Sequence, residues 1–454
     1  MSTIAAISTS QGNGGIGIVR ISGKNTFKIL EKIFKPKESS KIKGYTIKYG
    51  YIFDEEGKIV DEVLVSFFVE PKSYTTENMC EINSHGNNIV LKRILELCLK
   101  NGAEIAKPGE FTQRAFLNGR IDLSQAEAVI DLINSKSLKE QKIAINHLEG
   151  SLSKKISDIK NKVLEDLSDI EASIDYPEYD IEEKSLNKLK ENIAKTKIEL
   201  TKLEQSFDNG KLIRDGVKVA IVGSPNAGKS SLLNALLNEE RAIVTNIEGT
   251  TRDTIEEYII IQGITFRIID TAGIRESQDE VEKIGIQKSI KAIDNADLII
   301  MIFDSSKDIS EEDIRILNKI KNKNFIIVLN KTDLNRNILS RKVEIMKYNE
   351  NVVQISALKK DGIENLCNKM VEMFKINEIN TDNTEVITNI RQKNLISEAI
   401  ESCGKILETI ENNMPIDICA IYIKEIIEKL NEITGENVTE DVINKIFSKF
   451  CLGK

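Results

Sequence analysis

Val217-Lys218-Val219-Ala220-Ile221-Val222-Gly223-Ser224-Pro225-Asn226-Ala227-Gly228-Lys229-Ser230-Ser231 decides how this chain is read. An apolar run ends at Gly223, a loop closes on Gly228-Lys229-Ser230, and Leu232-Leu233-Asn234-Ala235-Leu236-Leu237 follows at helical spacing. Two glycines at this separation, then Lys-Ser between a strand and a helix, form a phosphate-binding loop. The N–H groups of such a loop, and the positive end of the helix after it, face a β-phosphate. Lys229 can reach the β/γ oxygens and Ser230 can ligate Mg²⁺. Asn226, Ala227, Gly228, Lys229, Ser230 and Ser231 are the expected nucleotide contacts of this loop.

Four further elements follow in an order that points to guanine. Ile268-Ile269-Asp270-Thr271-Ala272-Gly273 reads as a strand ending in Asp-x-x-Gly. Asp270 can hold Mg²⁺ through water, and the Gly273 N–H can meet a γ-phosphate. Another apolar run, 325–329, leads into Asn330-Lys331-Thr332-Asp333. Asp333 can accept two hydrogen bonds from the guanine N1–H and N2 amine. Adenine would leave that carboxylate unpaired, a mismatch worth several kcal/mol, roughly. Ser356, Ala357 and Leu358 follow the run 353–355 and supply a backbone N–H for the guanine O6. Gly249-Thr250-Thr251-Arg252-Asp253 lies where a switch loop belongs. Either threonine could complete the Mg²⁺ shell, and Thr251 is the expected ligand. ATP fails as a substrate at 330–333, which leaves GTP.

The hydrolytic machinery departs from the Ras pattern. Ile274 stands after Asp-Thr-Ala-Gly, where Ras-like enzymes place the glutamine that orients water. The acidic stretch 275–282 or a partner must supply a substitute. No arginine stands in the loop, and a monovalent cation held near Asn226 could stabilise the charge developing on the phosphates.

Composition sets outer bounds. The 454 residues suggest about three domains. A net charge of −8 does not announce a nucleic-acid binder. Six scattered cysteines and two histidines give no zinc pattern, and free thiols fit a reducing cytosol. The N-terminus lacks the pattern of a secretory signal, and no apolar run reaches the ~20 residues of a membrane span. A cytoplasmic protein is expected.

Along the chain, residues 1–118 read as a mixed domain. Ile4–Ile7 and 16–21 are expected strands around the glycine-rich turn 11–15, with no helix directly after it, so a hairpin is favoured over a nucleotide loop. Further strands are expected at 46–53 and 63–69 and a helix at 89–99. The stretches 73–86 and 107–120 read as polar loops. His85 reads as a structural hydrogen-bonder. Residues 119–215 are helical, broken at Pro177, with a second helix over 182–208. Residues 216–374 form the nucleotide domain. Residues 375–454 return to helical periodicity, with helices over 386–407 and 416–430 and Thr439 as N-cap of the last. The two helical blocks should build one bundle with the nucleotide domain inserted between them. The fold class expected is therefore multidomain α/β plus all-α, with a Ras-like phosphate-loop domain inserted in a discontinuous helical bundle.

Several stretches together resemble the MnmE (TrmE) family of tRNA-modification GTPases: 223–237 (GSPNAGKSSLLNALL), 245–253 (TNIEGTTRD), 270–286 (DTAGIRESQDEVEKIGI), 6–23, 107–129 and the segment Phe450-Cys451-Leu452-Gly453-Lys454. The resemblance covers the whole chain. It implies that the N-terminal α+β domain is similar to a tetrahydrofolate-binding domain, drives homodimerisation and binds 5-formyltetrahydrofolate. Arg20, Glu77, Arg120 and Lys454 would line the folate pocket, with Arg120 where many relatives have lysine. Cys451 would lie near the folate, either as a catalytic thiol or as a structural cysteine.

The resemblance also implies that the G domains pair when GTP and K⁺ are bound. K⁺ would be held by Asn226 and by carbonyls of Thr245, Ile247 and Thr250 in the loop Thr245-Asn246-Ile247-Glu248-Gly249-Thr250. Glu282, through a second water, would activate the attacking water. The implied partner is the flavoprotein MnmG (GidA), carrying FAD and using NADH, in a heterotetramer. The implied product is an aminomethyl or carboxymethylaminomethyl group on C5 of the wobble uridine of certain tRNAs. The alternative is a GTP-switched ribosome-assembly factor of the Era or EngA type, which would lack the N-terminal domain and the Cys-x-Gly-Lys segment.

Overall fold

The computed structural model describes residues 1–10, 12–38, 41–175, 182–237, 257–269, 292–334, 345–374 and 385–454. They divide into two compact units. One comprises Met1–Ile130, His147–Lys197 and Glu398–Lys454; the other comprises Asp131–Asn146 and Ile198–Ser397.

In the first unit the strands β1 (Ile4–Ile7), β2 (Gly14–Ser22), β3 (Phe34–Pro36), β4 (Thr46–Phe53), β5 (Ile59–Phe68), β6 (Met79–Gly86) and β7 (Glu104–Ile105) form a sheet. Its order is β3-β4-β5-β6-β2-β1-β7. β1 and β2 pair antiparallel, Ile4 opposite Ser22 and Ile7 opposite Val19, which is the expected hairpin. Alternation drives the layer: Val19, Ile21, Val63, Val65, Cys80 and Ile82 face the core. Helices α1 (Thr26–Ile33) and α2 (Asn88–Lys100) cover that face with Ile29, Leu30, Leu91, Ile94 and Leu97. A Cβ on Gly17 would stand 2.6 Å from the Leu91 side chain, so glycine lets β2 approach α2.

Both polar stretches of the N-terminal domain hold regular structure, correcting the reading of loops. Residues 79–86 are β6, which pairs with β2 and with β5. Its buried Cys80 and Ile82 alternate with Glu81 and Asn83 in a strand whose polar face masks the period. Residues 110–117 are α3 (Glu110–Leu117), entered through Gly109 at φ +69°. It buries Phe111, Thr112, Arg114 and Ala115. His85 hydrogen-bonds Asp61 at 2.8 Å, which raises its pKa above the ordinary value.

The helices of this unit come from both sides of the nucleotide segment. They are α4 (Leu123–Asn134), α6 (Ser151–Asp175), α7 (Glu182–Asp215), α11 (Ile390–Glu411), α12 (Ile416–Thr434) and α13 (Glu440–Phe447); α4, α7 and α11 run partly into the second unit, and α5 (Leu138–Leu148) belongs mostly to it. α6 and α12 pack together. α6 buries Leu152, Ile156, Ile159 and Val163; α12 buries Cys419, Ile423, Ile426 and Leu430. Lys160–Glu436 and Lys424–Glu171 flank the bundle at 2.6 and 2.9 Å. Thr439 does precede the last helix, but its side chain makes no cap hydrogen bond.

In the second unit β8 (Val217–Val222), β9 (Glu257–Ile261), β10 (Ile264–Ile268), β11 (Leu298–Asp304), β12 (Phe325–Asn330) and β13 (Val352–Gln354) form a sheet of order β13-β12-β11-β8-β10-β9. Every described pairing is parallel except β9 with β10. Both faces are covered, so β8, β11 and β12 are continuous apolar runs. α8 (Lys229–Leu237), α9 (Glu311–Ile320) and α10 (Ile363–Glu372) flank it.

Candidate active site: a nucleotide cradle and a second polar cluster

The cradle lies beyond the carboxyl ends of β8, β11, β12 and β13, where open α/β sheets bind ligands. Gly223 and Gly228 take φ of +154° and +102°. A Cβ on Gly228 would stand 2.1 Å from the Asn330 Nδ2, and one on Gly223 would stand 2.3 Å from the Ile302 carbonyl oxygen. The loop therefore needs hydrogen in both places. Asn226 is itself left-handed at φ +63°. Lys229 opens α8, and its Nζ donates to the carbonyls of Gly223 (2.7 Å) and Ser224 (3.0 Å), so its cation sits inside the loop. Burial lowers its pKa from the usual lysine value. Ser230 and Ser231 are exposed on the first turn of α8.

Asn330 ties the loops together. Its Nδ2 donates to the Ala227 carbonyl (2.9 Å), and its Oδ1 accepts from the Ala357 N–H (3.0 Å). One buried amide thus joins the phosphate loop to the 356–358 loop. Ser356 Oγ donates to Asp333 Oδ1 at 2.7 Å, and this bond holds the Asp333 carboxyl below its usual range. Lys331 Nζ meets the Asn226 carbonyl at 2.8 Å. Leu358 is 84% exposed. The residues fit a guanine nucleotide: a loop whose glycines leave its N–H groups free of side chains, a lysine in it, and a fixed, exposed-edge carboxylate on one side.

A second cluster forms on the N-terminal sheet. Arg20 on β2 pairs with Glu81 on β6 (2.8 Å), its cross-strand neighbour, and donates to the Gly453 carbonyl (3.1 Å). Gly453 is buried at φ +85° against β1, where a Cβ would stand 2.3 Å from the Ile7 oxygen. Glu77 accepts from Ser22 Oγ (2.8 Å) and from the buried Arg114 (3.1 Å), which also binds Glu110 (2.8 Å). Arg114 Nε is buried with no partner among the described residues. Two guanidinium groups lie over the Tyr74 ring, Arg20 at 5.7 Å and Arg120 at 4.8 Å from its centroid. The Lys454 carbonyl accepts from the Phe111 N–H at 3.2 Å. The structure thus brings Arg20, Glu77, Arg120 and the backbone at Lys454 onto one network of neighbours. Cys451 is exposed, whereas the other five cysteines are buried.

Comparison with known proteins matches residues 123–451 to the MnmE helical domain and residues 3–120 to the GTP-binding protein TrmE N-terminus. A tRNA modification GTPase MnmE from Acetivibrio thermocellus is 52% identical over 454 residues, spanning 100% of this chain and 99% of the relative. One from Clostridioides difficile is 50% identical over 457 residues, at the same coverage. The chain belongs to the MnmE family.

Among the other site residues expected in this MnmE family member, Thr245, Asn246, Ile247, Glu248, Gly249, Thr250, Thr251, Asp270, Thr271, Ala272, Gly273, Ile274 and Glu282 lie outside the described residues. Sequence reasoning missed four contributors. Asp304 binds Lys331, and Asp313 accepts from Ser224 in the phosphate loop. Glu81 and Arg114 carry the ion pairs of the second cluster. The register of β2 on β6 would have exposed the Arg20–Glu81 pair; no local pattern marks the others.

Among the described residues no helix is long and apolar enough to cross a membrane.

Proposed function

We propose that this chain hydrolyses GTP, and that the hydrolysis serves modification of the wobble uridine of certain tRNAs. The observation that carries the reading is the Asn330 amide, which holds the phosphate loop and the base loop in one piece beside Asp333. Membership of the MnmE family supports the tRNA role.

In this reading the nucleotide contacts are Asn226–Ser231 in the loop with Asn330, Lys331, Asp333, Ser356, Ala357 and Leu358 around the base, and the residues at 245–251 and 270–273. Lys229 holds its ammonium against the β/γ oxygens. Ser230 and Thr251 would ligate Mg²⁺. Asn226, with the residues at 245, 247 and 250, would hold K⁺ to offset charge developing on the phosphates, and Glu282 would orient water. Arg20, Glu77, Arg120 and Lys454 hold a formyl-tetrahydrofolate, which supplies a one-carbon unit when bound. Glu77 offers an acceptor already fixed by Arg114, and Arg120 offers a cation. Cys451 stands open to solvent for a role beside that ligand. The proposed working form is a homodimer that joins the flavoprotein MnmG with its FAD and NADH. The domain limits proposed are 1–118, 119–215, 216–374 and 375–454.

The test is steady-state GTP hydrolysis by the purified protein in K⁺ and in Na⁺ at equal ionic strength. Strong stimulation by K⁺ is expected. Equal rates in the two salts would remove the cation from the mechanism. Absence of any turnover would remove the enzyme.

A further inference from the structure

We infer that Asp304 is a positioning residue for nucleotide binding, which acts by clamping Lys331 onto the backbone of the phosphate loop. The inference rests on the guanine-nucleotide reading of that site.

Asp304 ends β11 directly beside Asn330, the last residue of β12, to which it is registered. Lys331 follows in the left-handed region at φ +62°. That turn sends its side chain back across the sheet end. Its Nζ lies 2.7 Å from Asp304 Oδ2 and 2.8 Å from the Asn226 carbonyl. Asn226 is left-handed too, at φ +63°. Lys331 thus holds a conformation that costs a lysine about 1–2 kcal/mol, and its ammonium joins it to Asn226, whose residue type tolerates the same region. The Lys331 conformation is not favoured locally, so tertiary contacts must hold it.

Asp304 is built to supply that hold. Its side chain is 8% exposed. The two carboxylate oxygens divide the bonding. Oδ1 accepts from the Ser306 N–H (3.0 Å) and Oγ (2.6 Å), while Oδ2 accepts from Lys331. The Ser306 bonds fix the plane of the carboxylate that Lys331 meets. Burial opposes the charge, but the bonds from Lys331 and Ser306 outweigh it and leave the carboxyl below its usual pKa. Without this anchor the ammonium keeps one neutral carbonyl and regains the rotamer freedom of a long flexible stem. The Asn226 turn then loses its brace, while Asn330 still ties the neighbouring Ala227. The site would loosen without unfolding.

The experiment uses the full chain and fluorescent GDP in stopped-flow dissociation. Asp304→Asn keeps the Ser306 acceptor and removes the charge. GDP dissociation should accelerate about tenfold. Inosine diphosphate should accelerate by the same factor, since the clamp acts on the loop and not on the exocyclic amine. In steady state the effect should fall on KM more than on kcat. In a Lys331→Met background the substitution should add nothing. Unchanged GDP dissociation in Asp304→Asn, or an undiminished extra factor in Lys331→Met, would overturn the clamp. If Asp304→Asn does not fold, Lys331→Met alone must show the tenfold acceleration, and its absence is equally fatal. Asp333→Asn probes the underlying reading separately. If it gains no affinity for xanthosine diphosphate, the guanine assignment fails whatever Asp304 does.

Discussion

The nucleotide cradle and the N-terminal cluster are organised in opposite ways. The cradle is written in short contiguous motifs and shaped mainly by backbone, with glycines at φ +154° and +102° and one amide bridging two loops. The N-terminal cluster has no contiguous motif. Ion pairs gather it around a buried arginine, and it closes through a bond between Arg20 and Gly453, 433 residues apart. In the first, shape is set by where side chains are missing. In the second, it is set by charges that neutralise one another out of water.

That contrast predicts which substitutions matter, starting with the largest effect. Arg114→Ala strands Glu77 and Glu110 beside a vacated buried site. Breaking such a pair costs about 3–5 kcal/mol, read as a lower urea midpoint. A loss under about 1 kcal/mol would mean the cluster is not organised by charge. Gly228→Ala places a methyl where the Asn330 amide sits. GTP affinity should fall about 100-fold by titration, equivalent to ~2.7 kcal/mol, with the urea midpoint of the first unit unchanged. Retained affinity would show that the cradle does not depend on bare backbone. Gly453→Ala tests whether the second cluster shares that dependence at one point. The added methyl has no room beside Ile7, and about 1–3 kcal/mol of stability should be lost.

The smallest effect separates charge from shape inside the cradle. The Ser356 bond depresses the Asp333 pKa, so the carboxylate that must meet the base persists to lower pH than an ordinary aspartate. GDP affinity is therefore present above that depressed pKa and is lost as pH falls through it. Ser356→Ala should move the acid limb of the affinity profile to higher pH and leave the plateau near neutrality. An unmoved limb would place the titrating group elsewhere.

The same contrast explains what could be read in advance. β8, its loop and α8, with Asn330–Asp333 and Ser356–Ala357, are each local, and each residue's chemistry is legible from its neighbours. Their braces were not. Asp304 lies 27 residues from Lys331, at the end of β11, and Asp313 lies 89 from Ser224, in the first turn of α9. In the N-terminal domain the polar richness of 79–86 hid a strand, because its exposed face carries Glu81, Asn83 and His85. The helix over 110–117 was hidden by Gly109 and by polar residues that turn out to be buried and paired, Arg114 foremost. Propensity saw loops; tertiary ion pairing made regular structure. The α6–α12 packing was legible because two apolar stripes flanking an inserted domain have few other partners.

The segmented build of the first unit has a consequence for the order of events during synthesis. Its last segment, Glu398–Lys454, follows about 200 residues that belong to the other unit. At about 5–20 residues per second, translation of that stretch takes roughly 10–40 s. During that time α6 lacks its α12 partner, and Arg20 lacks the Gly453 carbonyl. The nascent chain is thus most open to chaperones and proteases in the interval before its helical bundle can close.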